Sequence, residues 1–94
     1  MTLDDLATAC ACEVSVSINP HTSYYQPLAD YLDEVAKRAV LRPGMRERII
    51  AADRIVELQF YPDTPIGFYT VVGATLDECL VSAGVVLEER RAGK

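Results

Sequence analysis

The sequence predicts a single small α+β domain, built on a three-stranded sheet, that spans residues 1–94. Three observations lead to this class. Strict alternation of apolar and polar residues over Cys12–Ile18 indicates a strand with one buried face. Apolar residues at three- and four-residue steps over Pro27–Val40 indicate an amphipathic helix. The stretch Ile55–Arg91 holds two β-rich runs, a proline-rich turn and a helix start.

The first half of the chain also predicts two shorter helices. Thr2–Ala11 begins with a capping threonine and two aspartates in its first turn, a pattern that favours a helix. The pair Pro43-Gly44 ends the Pro27–Val40 helix, and Met45–Ala52 then has the spacing of another short helix.

The second half predicts a hairpin followed by a helix. Val56, Leu58 and Phe60 alternate with polar neighbours, and a second alternating run follows the turn. Gly73 breaks the second strand. The residues Thr75-Leu76-Asp77-Glu78 then form a capping box, which opens the last helix.

These elements follow the order helix-strand-helix-strand-strand-helix, with Met45–Ala52 as an additional short helix before the second strand. This is a truncated ferredoxin-like order. Right-handed strand–helix–strand connections would place the helices on one face of the sheet. The apolar face they cover would be formed by Val14, Val16, Val56, Leu58, Phe60 and Val72. Cys12–Ile18 would then remain as an exposed edge strand. Because such edges often pair with another chain, we expect a homodimer.

The charge pattern argues against several classes of protein. The net charge of −5 disfavours a general nucleic-acid binder, although six of the nine positive charges lie within Lys37–Arg54. A solvated surface is the simpler interpretation of that basic segment. The acidic start of the chain is unlike a signal peptide, and no apolar run is long enough to span a membrane. These features predict a cytoplasmic protein without membrane contact.

The cysteines do not indicate a disulfide framework or a metal site. Cys10, Cys12 and Cys79 are odd in number, which suits a reducing compartment. Even with His21 they fall short of the four closely spaced ligands that zinc needs. We therefore expect no metal and no cofactor.

The aromatic residues provide the candidate site, which we expect to bind a partner. It consists of His21, Tyr24, Tyr25, Tyr61, Asp63 and Tyr69. We expect the Asn19–Gln26 loop to face the Pro62–Gly67 turn, so that these residues converge. Two other interpretations stay open. The tyrosines could simply stabilise the hairpin as cross-strand pairs, and His21 with Ser23 could serve a small hydrolase or a ligand site.

Part of this sequence resembles the HicB-like antitoxin family. The similar residues are the proline turn Tyr61–Pro65, Gly67 and the helix start Gly73–Glu78. This chain departs from the family by the additional Ile66 before Gly67. The resemblance implies a toxin-neutralising or regulatory protein without an active site.

A longer part of the chain is similar to small phage and prophage proteins. The shared features are a strand, an Asn-x-His-x-x-Tyr-Tyr-Gln segment at Asn19–Gln26, a helix, and a Phe-Tyr-Pro-x-Thr-Pro-x-Gly hairpin at Phe60–Gly67. This resemblance implies an accessory protein but no particular activity. The sequence therefore predicts a non-enzymatic protein-interaction module of unknown process. The toxin-neutralising and His21-dependent functions remain the alternatives.

Overall fold

The computed structural model describes residues 2–10, 13–61 and 69–92. These residues form four α-helices, three β-strands and a short 3-10 helix. In chain order they are α1 (Leu3–Cys10), β1 (Val14–Ile18), the 3-10 helix (Pro20–Tyr24), α2 (Leu28–Val35), α3 (Met45–Ala52), β2 (Val56–Phe60), β3 (Tyr69–Gly73) and α4 (Leu76–Ala92). The predicted α+β class and the order of the elements are confirmed.

The three strands form one antiparallel sheet in the order β1-β2-β3. Val16 lies opposite Leu58 in the β1–β2 pair, and Leu58 lies opposite Val71 in the β2–β3 pair. The predicted hairpin strands and the edge position of β1 are therefore confirmed. The chain between β1 and β2 returns antiparallel, so these strands do not form the strand–helix–strand crossover that the ferredoxin-like order led us to expect.

One face of the sheet packs against α1 and α4. Residues directly opposite each other across antiparallel strands point to the same face. Val56, Leu58 and Phe60 therefore share this face with Val71, and all four are fully buried. The core here is completed by residues of the two helices, namely Leu6, Cys10, Cys79, Leu80, Ala83, Val86 and Leu87.

The opposite face packs against α2 and α3, which corrects the expectation that all helices lie on one face. Val72 follows Val71 and so points to the other side of β3. There it joins a second core cluster with Leu32, Val35 and Ile49. We had assigned Val72 to the α4 face. Because β3 is apolar at consecutive positions, it supports a core on each of its two faces.

The early end of α2 allows the chain to close the outer edge of β3. The predicted helix extended to Val40, but α2 ends at Val35 and continues as a tight turn. In that turn the Arg38 N–H donates to the Val35 carbonyl at 3.0 Å. Val40 then pairs with β3: its N–H donates to the Thr70 carbonyl at 2.7 Å, and its carbonyl accepts from the Val72 N–H at 3.4 Å.

The capping box at the start of α4 is confirmed. The Glu78 N–H donates to Thr75 Oγ1 at 3.2 Å, and the Thr75 N–H donates to Glu78 Oε1 at 3.1 Å. Glu78 Oε1 also accepts from the Ala74 N–H at 3.0 Å. These bonds satisfy donors that would otherwise be unpaired at the helix start, and they fix the direction in which α4 leaves β3.

Candidate functional site

The segment that carries His21 and two tyrosines is fixed to the start of β2 by Asn19. Asn19 has a left-handed backbone conformation with φ 49°, which asparagine adopts more readily than most residues. Its N–H donates to the Ile55 carbonyl at 2.8 Å, and its Oδ1 accepts from the Ile55 N–H at 3.0 Å. Pro20 then opens the 3-10 helix, where its missing N–H has no cost.

This segment presents two tyrosines to solvent in different settings. Tyr25 is 96% exposed, whereas Tyr24 is 70% exposed and stacks on Tyr31 of α2. The ring centroids of Tyr24 and Tyr31 are 6.4 Å apart and their planes differ by 15°. The His21 ring lies 6.1 Å from Tyr31, and its buried Nδ1 has no hydrogen-bond partner. His21 and Tyr24 therefore pack over the outer side of α2.

Beneath these rings lies a buried polar network centred on Glu57. Glu57 is on the central strand and only 5% exposed. The Tyr31 hydroxyl donates to Glu57 Oε2, and Arg38 Nη1 lies 3.9 Å from Glu57 Oε1. Burial and the bond to Glu57 raise the pKa of Tyr31 to about 12, and the positive charge of Arg38 opposes this shift. Tyr31 therefore stays a hydrogen-bond donor at physiological pH.

An open groove of about 430 Å³ lies beside this network. It is lined by Tyr24, Gln26, Tyr31, Glu34, Lys37 and Arg38. The lining carries both signs of charge, and Lys37 Nζ lies 3.2 Å from Glu34 Oε2. His21 is not part of the lining. A hydrolase that used His21 as its base would need the histidine to reach such a cavity.

The predicted site residues lie at opposite ends of the sheet. Ile18, the last residue of β1, pairs with Val56 at the start of β2. His21, Tyr24 and Tyr25 come directly after β1 and therefore lie at that end of the sheet. Phe60 pairs with Tyr69 at the other end, where Tyr61 follows and is half-exposed. The described residues of the predicted site are therefore divided between the two ends of the sheet, while the Pro62–Gly67 turn that we expected to face the Asn19–Gln26 loop lies outside the described residues.

The structure describes the position of Tyr69 but not that of Asp63. Tyr69 is half-buried and packs against Phe60 on the α4 face, with ring centroids 5.9 Å apart. That contact agrees with the interpretation of cross-strand aromatic pairing. Asp63 lies outside the described residues.

Sequence reasoning missed Glu57 as the centre of a buried network. We had taken Glu57 only as one of the polar neighbours that alternate with Val56, Leu58 and Phe60. The amphipathic stripe of α2 contained the relevant signal, because Tyr31 on an otherwise apolar stripe needs a partner for its hydroxyl once it is buried.

Acidic partners neutralise much of the basic segment Lys37–Arg54. Arg46 Nη1 lies 2.5 Å from Asp33 Oδ1, and Arg48 pairs with Glu78. The Lys37–Glu34 and Arg38–Glu57 pairs described above account for two more of its positive charges. The basic side chains of these pairs are largely exposed, so the pairs agree with the simpler interpretation of the segment as a solvated surface.

The described residues do not form a recognisable catalytic or metal centre. Cys79 is buried and its thiol donates to the Val56 carbonyl at 3.1 Å. Burial, together with the nearby charges of Glu78 and Glu57, raises the pKa of Cys79 to about 12, so this thiol is a poor nucleophile. Within the described ranges, no three His, Cys, Asp or Glu side chains come close enough to hold a metal ion.

Among the described residues, no strand pairs with the outer edge of β1. The Asn19 N–H bonds to the Ile55 carbonyl, so the pair Asn19–Ile55 is hydrogen-bonded. Hydrogen-bonded and non-bonded pairs alternate along an antiparallel ladder. The backbone groups of Val14, Val16 and Ile18 therefore point away from β2. The bonds between Val40 and β3 follow the same alternation on the other side of the sheet.

The side chains along this edge are also partly open to solvent. Ile18 is 59% exposed and Val16 is 38% exposed, although both occupy the face that α1 and α4 cover elsewhere. Ser15 and Ser17 are exposed on the other face. The strand Val14–Ile18 thus combines unpaired backbone groups with exposed aliphatic side chains and carries no charge.

None of the helices in the described part of the chain is long and apolar enough to cross a membrane. No protein-family model, curated protein sequence or solved structure matches this chain.

Proposed function

We propose that this chain is a non-enzymatic protein-interaction module that binds its partner by strand addition at the outer edge of β1. The observation that carries the proposal is the uncharged, unpaired edge Val14–Ile18. Soluble proteins usually protect such edges with charged residues, proline, bulges or a covering segment. None of these lies within Val14–Ile18, and this edge therefore has the properties of a binding surface.

The surroundings of the edge support the same function. Tyr25 lies in the loop that follows β1 and is almost fully exposed, as is common for aromatic residues that contact partners. Cys79 is a buried free thiol, which fits action in the reducing cytoplasm. The similarity to small phage and prophage proteins supports an accessory role, and the acidic net charge disfavours nucleic acid as the partner.

Site-specific photo-crosslinking in the cells that produce the protein tests this function. A photo-reactive residue at Ser17 should form covalent adducts, because Ser17 is exposed beside the free edge. The matched control is the same residue at Glu88, which is exposed on α4 and distant from β1 in the chain. If adducts at Ser17 do not exceed those at Glu88, the edge is not a binding surface and the proposal is wrong.

A further inference from the structure

We infer that the partner at the β1 edge is a second copy of this chain, paired antiparallel so that Val16 lies on the two-fold axis. This inference rests on the proposed function and names its partner. In a symmetric dimer each residue must suit its counterpart on the other copy. The edge sequence Val-Ser-Val-Ser-Ile meets this condition because reversing it about its central residue, Val16, places aliphatic residues opposite aliphatic residues and serines opposite serines.

The backbone of β1 fits this register. Val14, Val16 and Ile18 direct their N–H and C=O groups outward, as the ladder to β2 requires. Antiparallel pairing about Val16 places Val16 opposite its own counterpart and Val14 opposite Ile18 of the second copy. These are the positions at which both strands offer donors and acceptors, so every outward group of the three residues finds a partner.

The side chains fit the same register on both faces. The valines and Ile18 of both copies form one continuous aliphatic strip on the side that α1 and α4 cover. This strip shields the exposed surface of Val16 and Ile18. On the other face Ser15 lies opposite Ser17 of the second copy, where two small hydroxyl side chains meet without a charge conflict.

Another partner chain could use the same edge, but the features above favour self-pairing. A partner recognised by charge would need charged residues along the strand, and Val14–Ile18 has none. The strand instead alternates aliphatic and serine side chains, and an antiparallel second copy presents the same alternation in a matching order. On the opposite edge, Val40 already pairs with the Thr70 carbonyl and the Val72 N–H, whereas no described segment pairs with the outer side of β1, so β1 is the edge we assign to the second copy.

Disulfide trapping tests the register directly. Ser15→Cys and Ser17→Cys are placed in separate chains, both in a Cys12→Ser background, and the folded proteins are mixed under mild oxidation. Residues opposite each other in a non-bonded pair have Cα atoms about 4.5 Å apart, which a disulfide can bridge. Two copies of the same variant place their cysteines two residues out of register, beyond about 7 Å.

The expected product is a mixed disulfide between the two variants that exceeds either same-variant disulfide. The Cys12→Ser chain alone shows whether the buried Cys10 and Cys79 contribute. A preference for same-variant disulfides would overturn the register. Circular dichroism of each variant confirms that the trapped species is folded.

Charge exchange provides an independent test in solution. Ser15→Lys/Ser17→Lys places lysines opposite lysines of the second copy, and Ser15→Glu/Ser17→Glu does the same with glutamates. Wild-type protein should approach twice the mass of one chain as its concentration rises in sedimentation experiments, and each charged variant should remain a monomer. A mixture of the two variants should recover the doubled mass, because every facing pair is then of opposite sign.

These experiments separate failure of the inference from failure of the proposed function. A wild-type protein that stays monomeric at its highest soluble concentration would overturn self-pairing. If Ser17 nevertheless gives adducts with a different protein in the cell, strand addition at β1 stands and only the identity of the partner is wrong. An absence of adducts at Ser17 would overturn both.

Discussion

Replacement of Tyr31 by phenylalanine should destabilise the protein by about 2 kcal/mol at neutral pH. The change removes the hydroxyl that donates to Glu57 but keeps the ring that packs in the core. A hydrogen bond to a charged group contributes roughly 1.5–3 kcal/mol, and Glu57 would otherwise retain only the long contact to Arg38. For a chain of this length, 2 kcal/mol corresponds to a decrease in Tm of about 10 °C.

The effect of this variant should also depend on pH. The folded protein keeps Tyr31 protonated up to about pH 12, whereas the unfolded chain loses this proton near pH 10. The contribution of Tyr31 to stability is therefore complete below about pH 10 and is lost as the pH rises toward 12. The stability curves of wild type and Tyr31→Phe should converge over this range. Cys79 adds a similar alkaline loss to both proteins, so it does not change their difference.

Urea unfolding followed by circular dichroism at neutral pH and at several alkaline pH values measures both effects. Tyr24→Phe is the matched control, because Tyr24 is mostly exposed and phenylalanine keeps its stacking on Tyr31. A Tyr31→Phe protein within about 0.5 kcal/mol of wild type, the range of ordinary surface substitutions, would refute the reasoning. A difference that stays constant from neutral to alkaline pH would refute the part that concerns ionisation.

Urea unfolding tests two further predictions near β3 and α4. Thr75→Ala should cost about 1 kcal/mol because it removes the cap of α4, while Thr75→Ser keeps the hydroxyl and should be nearly neutral; equal stabilities would contradict this role. Gly73→Ala should cost roughly 1–3 kcal/mol, because a Cβ there would lie 2.9 Å from Glu78 Cβ and 3.3 Å from the Cys79 nitrogen. A Gly73→Ala protein as stable as wild type would show that α4 shifts freely.

The local elements could be predicted from the sequence because their signals are local. The capping box from Thr75 to Glu78 marks the start of α4 within four residues. The alternation in Val56–Phe60 likewise defines a strand and its faces without reference to any other part of the chain. Such signals depend only on residues within a few positions of one another.

The arrangement of these elements depends on choices that the sequence leaves open. Val71 and Val72 are both apolar, so the pattern alone could not decide which of them faces α4; the pairing of Leu58 with Val71 decides it. The end of α2 was missed for a similar reason. Residues after Val35 have good helical spacing, but pairing of Val40 with β3 stabilises an extended conformation there.

The sequence did not show that the length of a strand separates the described residues of the candidate site. The tyrosines lie in two stretches of the sequence, and we expected these two stretches to be close in space. The antiparallel pairing of β1 with β2 instead carries His21 and Tyr61 to opposite ends of the sheet. The network of Tyr31, Glu57 and Arg38 arises from elements far apart in the chain, and only the direction in which α2 crosses the sheet brings them together.

The two edges of the sheet differ, because Val40 pairs with β3 and no described segment pairs with the outer side of β1. This difference bears on how copies of the chain could assemble. On β3, Val40 pairs with two of the outward backbone groups, namely the Thr70 carbonyl and the Val72 N–H. On β1, no described segment does the same for Val14–Ile18. A chain with two free edges could add copies on both sides and grow into a filament, whereas one free edge allows only a closed pair. If a second copy pairs at β1 as we infer, the Val40 bridge on β3 disfavours addition of a third copy at the other edge, which fits the stoichiometry of a two-fold dimer.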